Sequence, residues 1–238
     1  MGDVIPVIDL DQGRGDARRR RELAEAIVRV GHEVGFFVLV GHGLGLERFR
    51  EMQDLLGRLF ALPPEVKGQI DKRKSPCFRG WEPVGSEKTH GRTDLREQID
   101  LWTEHPPRAD AGGAAYLRLL GPNQWLPDAE LPGHRAVVDA WTADMAAVAD
   151  ELLRLFSLGL GLGEDHLRAR FTGETMSLVK LIHYPPTPAD GAGVNAHHDT
   201  GFLTLLASFG APGLEIETAE GWTPAPFVPG GIVVNLGE

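Results

Sequence analysis

His197 and Asp199 stand two residues apart in the stretch Val194-Asn195-Ala196-His197-His198-Asp199-Thr200-Gly201-Phe202-Leu203-Thr204-Leu205-Leu206, which turns apolar toward its end. In an extended chain alternate side chains share a face, so the spacing predicts that His197 and Asp199 project together while His198 points away. An imidazole and a carboxylate on one face, joined by a His from elsewhere, form the 2-His-1-carboxylate arrangement. That arrangement holds iron(II) and leaves positions open for a co-substrate and dioxygen. Taken alone, such a pair is more often a hydrogen-bonded or surface group than a metal site, because nine His make an H-x-D spacing easy to reach without a metal.

The elements that must position this stretch are read from periodicity. Val4 to Leu10, broken by Pro6, reads as an edge strand. Asp16 to Gly35 reads as a helix capped by Asp16, with Leu23, Ile27, Val30 and Val34 on its apolar stripe. Phe36 to Val40 is a buried strand closed by Gly41-His42-Gly43, where His42 is a turn residue. A second helix runs from Leu46 to Leu62 with Phe49, Met52, Leu56 and Leu59 inward, and Pro63-Pro64 ends it and opens a short third helix. Lys72 to Pro107 reads as irregular, anchored by Trp81 and Trp102. Loops of this kind commonly carry substrate contacts, and Arg79 and His90 lie there as substrate contacts or surface groups. The longest helix spans Gly133 to Leu160, with Val138, Trp141, Met145, Val148, Leu152 and Leu155 on one stripe, and a shorter one spans Glu164 to Phe171. Short extended runs follow: Ser177 to Tyr184, the His197 segment, Leu214 to Thr218 and Gly231 to Leu236. Strands after a helical half predict a β-sandwich or barrel backed by helices.

At 238 residues with 42% hydrophobic and 24% charged residues, the composition is that of a globular chain, most simply one structural unit. The net charge of -10 excludes a nucleic-acid or anionic-membrane surface as the main function. The basic run Arg18 to Arg21 is a solvated helix face. A single cysteine, Cys77, rules out an intrachain disulfide framework and fits a reducing compartment. With no secretory pattern at Met1 to Pro6 and no apolar run of membrane-spanning length, a cytoplasmic location is expected.

Taken together, Leu181-Ile182-His183-Tyr184-Pro185-Pro186, the His197 segment, Pro212-Gly213-Leu214-Glu215-Ile216 and Val233-Val234-Asn235-Leu236-Gly237-Glu238 form a pattern. The chain resembles the non-haem iron(II), 2-oxoglutarate-dependent oxygenases of the isopenicillin N synthase-like group. Ile5 to Leu10, Gly35-Phe36-Phe37 with His42-Gly43, Phe60 to Pro63, Arg79-Gly80-Trp81 and Gly121 to Trp125 extend the likeness over nearly the whole chain. The resemblance implies a double-stranded β-helix, or jelly roll, with flanking N-terminal helices. Residues 1–125 would form the N-terminal region with its substrate loops. Residues 126–238 would form the backing helix and the first part of the iron and 2-oxoglutarate core. It implies that His197 and Asp199 are iron ligands and that Tyr184 contacts 2-oxoglutarate. If Tyr184 faces the pocket, strand parity puts Lys180 there as a charge partner for a carboxylate, and His183 on the other face. Arg79 remains the candidate substrate contact. The implied activity is oxidation of a small molecule (hydroxylation, desaturation or cyclisation), with 2-oxoglutarate decarboxylated to succinate at the expense of dioxygen.

The sequence departs from that pattern in one respect. The group's third ligand, a distal His, and its Arg-x-Ser co-substrate anchor both fall beyond Glu238, so the last strands are expected to be missing from this chain. The alternatives are an oxygenase-fold binding protein without catalysis and an iron oxidase that does not use 2-oxoglutarate.

Overall fold

The computed structural model describes residues 5–107, 114–171, 175–187, 191–209, 213–218 and 221–237. In chain order the strands are β1 (Val7–Asp9), β2 (Phe36–Val40), β3 (Gly80–Glu82), β4 (Lys88–Thr89), β5 (Arg92–Thr93), β6 (Glu97–Trp102), β7 (Leu178–His183), β8 (Leu203–Leu206), β9 (Glu215–Thr218), β10 (Gly221–Pro224) and β11 (Ile232–Leu236). The helices are α1 (Ala17–Glu33), α2 (Leu46–Phe60), α3 (Pro64–Lys67) and α4 (His134–Gly159). The chain groups into two units, each taking pieces from both sides of position 125. One comprises residues 1–51, 140–172 and 198–238, the other residues 52–139 and 173–197. Both α2 and α4 run from one unit into the other.

In the first unit the sheet order is β1-β2-β11-β8, with β1 parallel to β2 and the other pairs antiparallel. The Pro6-containing run is thus an edge strand. Its Val4 lies outside the described residues. Ile5, Val38, Ile216 and Val233 form a buried apolar cluster in this unit. α1 starts where Asp16 accepts from the backbone N–H groups of Arg18 and Arg19 at 2.8 and 3.1 Å. The expectation that Arg18 to Arg21 is simply solvated is corrected at Arg20, whose guanidinium pairs with Glu151 and, at 3.1 Å, Glu164. The helix expected over Glu164 to Phe171 is replaced by turns and a 3-10 helix at Arg168–Arg170.

In the second unit the sheet order is β3-β6-β7, all antiparallel, with Ile99 opposite Trp81 and Leu181. This corrects the irregular reading of Lys72 to Pro107, since β6 is the central strand. Its inner face, Ile99 and Leu101, is apolar, whereas Gln98 and Asp100 on the other face are polar yet buried. β4 and β5 form a hairpin turned by His90 (φ 50°) and Gly91 (φ 79°), the left-handed pair that a two-residue turn of this twist requires. His90 is an exposed turn residue. On α2 Met52 and Leu55 are fully buried, while the expected Leu56 is half-buried.

Candidate functional site

The His197 segment is not a strand. Residues 195–202 are irregular and β8 begins only at Leu203, where its partner position Leu236 begins to pair. Side-chain orientation is therefore set by hydrogen bonds instead of strand parity. His197 Nδ1 donates to the Asn195 carbonyl at 2.9 Å, which makes Nε2 the nitrogen bearing the lone pair. Asn195 is itself held by Asp94, which accepts from its backbone N–H at 3.0 Å and its side-chain amide at 2.8 Å. Burial pushes the Asp94 carboxyl up, but hydrogen bonds from Thr89 and Asn195 and the charge of Arg96 outweigh it and hold the group below its ordinary value.

His197 closes one unit and Asp199 lies just inside the other. Asp199 Oδ2 accepts from Thr204 Oγ1 at 2.7 Å and from Asn235 Nδ2 at 2.9 Å. These donors sit directly opposite one another across β8 and β11. Asn235 is buried in an otherwise apolar strand, and that polar interruption was the sequence signal for it. Gly237 is close-packed here: a Cβ would collide with the carbonyl oxygens of Asp199 and Gly201.

Tyr184 follows β7 and is half exposed, and it helps hold the Arg96 guanidinium in its charged form. Lys180 Nζ lies 2.8 Å from Asp100 Oδ1, so the charge partner expected to be a ligand carboxylate is already a protein carboxylate. Arg79 overturns the surface alternative. It is 0% exposed, and its guanidinium donates to Asn123 Oδ1 at 3.0 Å and to the carbonyls of Cys77, Leu119 and Thr103. It organises the loop around it. His183 Nδ1 donates to Glu97 Oε1 at 2.9 Å and stacks on Phe60. Glu97 also accepts from Lys67 Nζ at 2.6 Å and Trp81 Nε1 at 3.0 Å. Burial raises the Glu97 carboxyl, and these donors more than offset it. Sequence reasoning missed this buried trio and also Lys72, whose ammonium lies 2.8 Å from both Glu82 and Asp100.

Comparison with known proteins gives the class. Residues 5–128 match the model of the N-terminal region of non-haem dioxygenases in morphine synthesis, and residues 164–238 match the 2OG-Fe(II) oxygenase superfamily. The chain belongs to the non-haem iron(II)/2-oxoglutarate oxygenase family. It is 30% identical to the 2-oxoglutarate-dependent dioxygenase frbJ of Dothideomycetidae sp. (strain 11243), over 99% of this chain and 65% of that protein. It is 32% identical to a 2-oxoglutarate-dependent dioxygenase of Gibberella zeae, over 98% of this chain and 63% of the relative. It therefore spans somewhat less than two thirds of these relatives. A full-length protein of Neurospora crassa, crystallised with alpha-KG and thymine, superposes with a TM-score of 0.82 at 22% identity, over 98% of this chain and 74% of that one. That likeness carries the fold, the jelly roll with helices seen in this family.

The family uses iron(II), 2-oxoglutarate and dioxygen. The donor chemistry here suits iron(II): an imidazole whose Nδ1 proton is held by a carbonyl, and a carboxylate that accepts from Thr204 and Asn235. Among the described residues, the trio of metal-type donors converging within 4.8 Å is Glu82, Glu87 and Asp100. Lys72 occupies the cation position there.

Proposed function

We propose that this chain is part of an oxygenase that oxidises a small molecule with iron(II), 2-oxoglutarate and dioxygen, using His197 and Asp199 as iron ligands. The observation that carries the reading is the support behind each ligand, Asn195 behind His197 and the Thr204–Asn235 pair behind Asp199. Such partners fix tautomer and orientation, and losing one typically costs roughly 10–100-fold in metal affinity.

When bound, the metal and co-substrate supply the oxidising power, converting 2-oxoglutarate to succinate and carbon dioxide. The chain's own residues bind and orient. Thr204 and Asn235 hold one Asp199 oxygen, and the Asn195 carbonyl keeps the His197 proton on Nδ1. In this reading the Tyr184 hydroxyl donates to a 2-oxoglutarate carboxylate. Lys180 and Arg79, both engaged with protein groups, support the walls in this reading. The net charge of -10 supports a small-molecule substrate over a nucleic acid. A free, buried Cys77 supports a cytoplasmic location. Among the described residues no helix is long and apolar enough to cross a membrane.

The test is iron-dependent succinate formation from 2-oxoglutarate. The reading expects it in the parent protein and its loss in H197A and D199A with circular dichroism unchanged. Turnover that survives both substitutions would refute the assignment.

A further inference from the structure

Asp94 sets a carboxylate with 0% side-chain exposure behind the segment that carries His197. Its two oxygens divide their partners. Oδ1 accepts from the backbone N–H of Asn195 at 3.0 Å and from the side-chain amide of the same residue at 2.8 Å. Oδ2 accepts from Thr89 Oγ1 at 2.7 Å and lies 3.6 Å from Arg96 Nη2. A buried carboxylate is costly unless donors and a counter-charge meet it, and both are present here. Thr89 ends β4 and Asp94 directly follows β5, so the hairpin is tied to the His197 segment through this one group. The next residue fastens the same segment again, since the Leu95 N–H donates to the Ala192 carbonyl at 3.1 Å. Asp94, Asn195 and His197 all lie in the second unit.

This grip decides where Asn195 points its carbonyl. Two donors of one residue on one oxygen fix both the backbone and the side chain of Asn195, and its amide also donates to the Thr93 carbonyl at 3.2 Å. The Asn195 carbonyl is thereby held where it accepts the proton of His197 Nδ1 at 2.9 Å. His197 is exposed, and solvent alone would leave its two neutral tautomers in exchange. A fixed carbonyl acceptor selects one of them.

We propose that Asp94 is a positioning residue for His197: acting through Asn195, it keeps the imidazole proton on Nδ1 and so makes Nε2 the metal-binding nitrogen. The inference rests on the reading of His197 as an iron ligand and adds the residue that sets its tautomer. A purely structural Asp94 would contribute to stability and leave the tautomer untouched.

Two readouts on the whole 238-residue chain test it. Side-chain nitrogen NMR without metal reports the His197 tautomer, with H197A identifying its signals, and anaerobic calorimetry reports iron(II) affinity. The parent is expected to hold the proton on Nδ1. D94L should mix the tautomers and bind iron(II) at least about tenfold more weakly, whereas D94N, which keeps an oxygen for Asn195, should retain the parent tautomer and affinity to within about threefold. N195A removes one of the two donors to Asp94 while keeping the carbonyl, and should shift the tautomer in the same direction if D94L does not fold. Parent tautomer and affinity in D94L or, where that chain does not fold, in N195A would overturn the proposal, even with a lowered melting temperature. D94N losing as much as D94L would also overturn it. H197A separates the two claims: iron(II) affinity unchanged there refutes the ligand reading, whereas weakened binding in H197A beside an unchanged D94L refutes the positioning role alone.

Discussion

Asn235 and Thr204 converge on a single oxygen of Asp199, so each supports an orientation that the carboxylate would otherwise share with rotamers turned to solvent. Replacing Asn235 with Leu should weaken iron(II) binding by roughly 10–100-fold. Unfolding by heat should show a loss of about 1.5–3 kcal/mol, the cost of one missing donor to a charged acceptor. Arg79 predicts the reverse pattern. With its guanidinium gone, Asn123 and the carbonyls of Cys77, Leu119 and Thr103 lose their donor inside the protein. Arg79→Met should therefore cost about 3 kcal/mol or more in urea unfolding. His197 and Asp199 were singled out by residue type and spacing, and Tyr184 by the resemblance to the family. Asn195, Asp94 and Lys72 were not, because a supporting hydrogen bond to a residue distant in the chain leaves no local pattern.

Helices were the most legible elements. The 3.6-residue stripes of α1, α2 and α4 and the Asp16 cap gave their extents to within two residues, since burial of one face and capping of one end are local properties. β6 was hidden because three of its five buried side chains, Glu97, Gln98 and Asp100, are polar and find their partners on other segments, Lys67 and Trp81 for Glu97, Glu82 for Gln98, and Lys72 and Lys180 for Asp100. The His197 segment erred in the other direction: it ends in an apolar run fit for a strand, but the β8 ladder begins only at Leu203. β11 fixes that limit, and Gly237 just beyond it lies against the Asp199 backbone. Gly237→Ala should force these backbones apart, costing about 1–3 kcal/mol by overpacking. It should also lower iron affinity, measured by thermal melting and metal titration of the same sample.

For the whole molecule, carboxyls held below their ordinary values shape the response to acid. Asp94, Glu87 and Glu97 are all held below their ordinary values despite burial, which acts the other way. The unfolded chain then binds more protons than the folded one as these groups titrate. Their contribution is complete above about pH 4, the ordinary carboxylate range, and is lost as pH falls through the lowered folded values. Urea midpoints measured from about pH 7 downward should stay level to about pH 5 and then decline. Glu97→Gln should flatten that decline as well as lower the midpoint at neutral pH, since it removes one of the titrating groups.

The central claim is that His197 and Asp199 are ligands to one iron(II). An anaerobic calorimetric titration of iron(II) into the parent chain, H197A and D199A measures it most directly. The account predicts one iron bound per parent chain, with affinity at least tenfold weaker in each variant and the fold retained by circular dichroism. Equal affinity in all three proteins would contradict it.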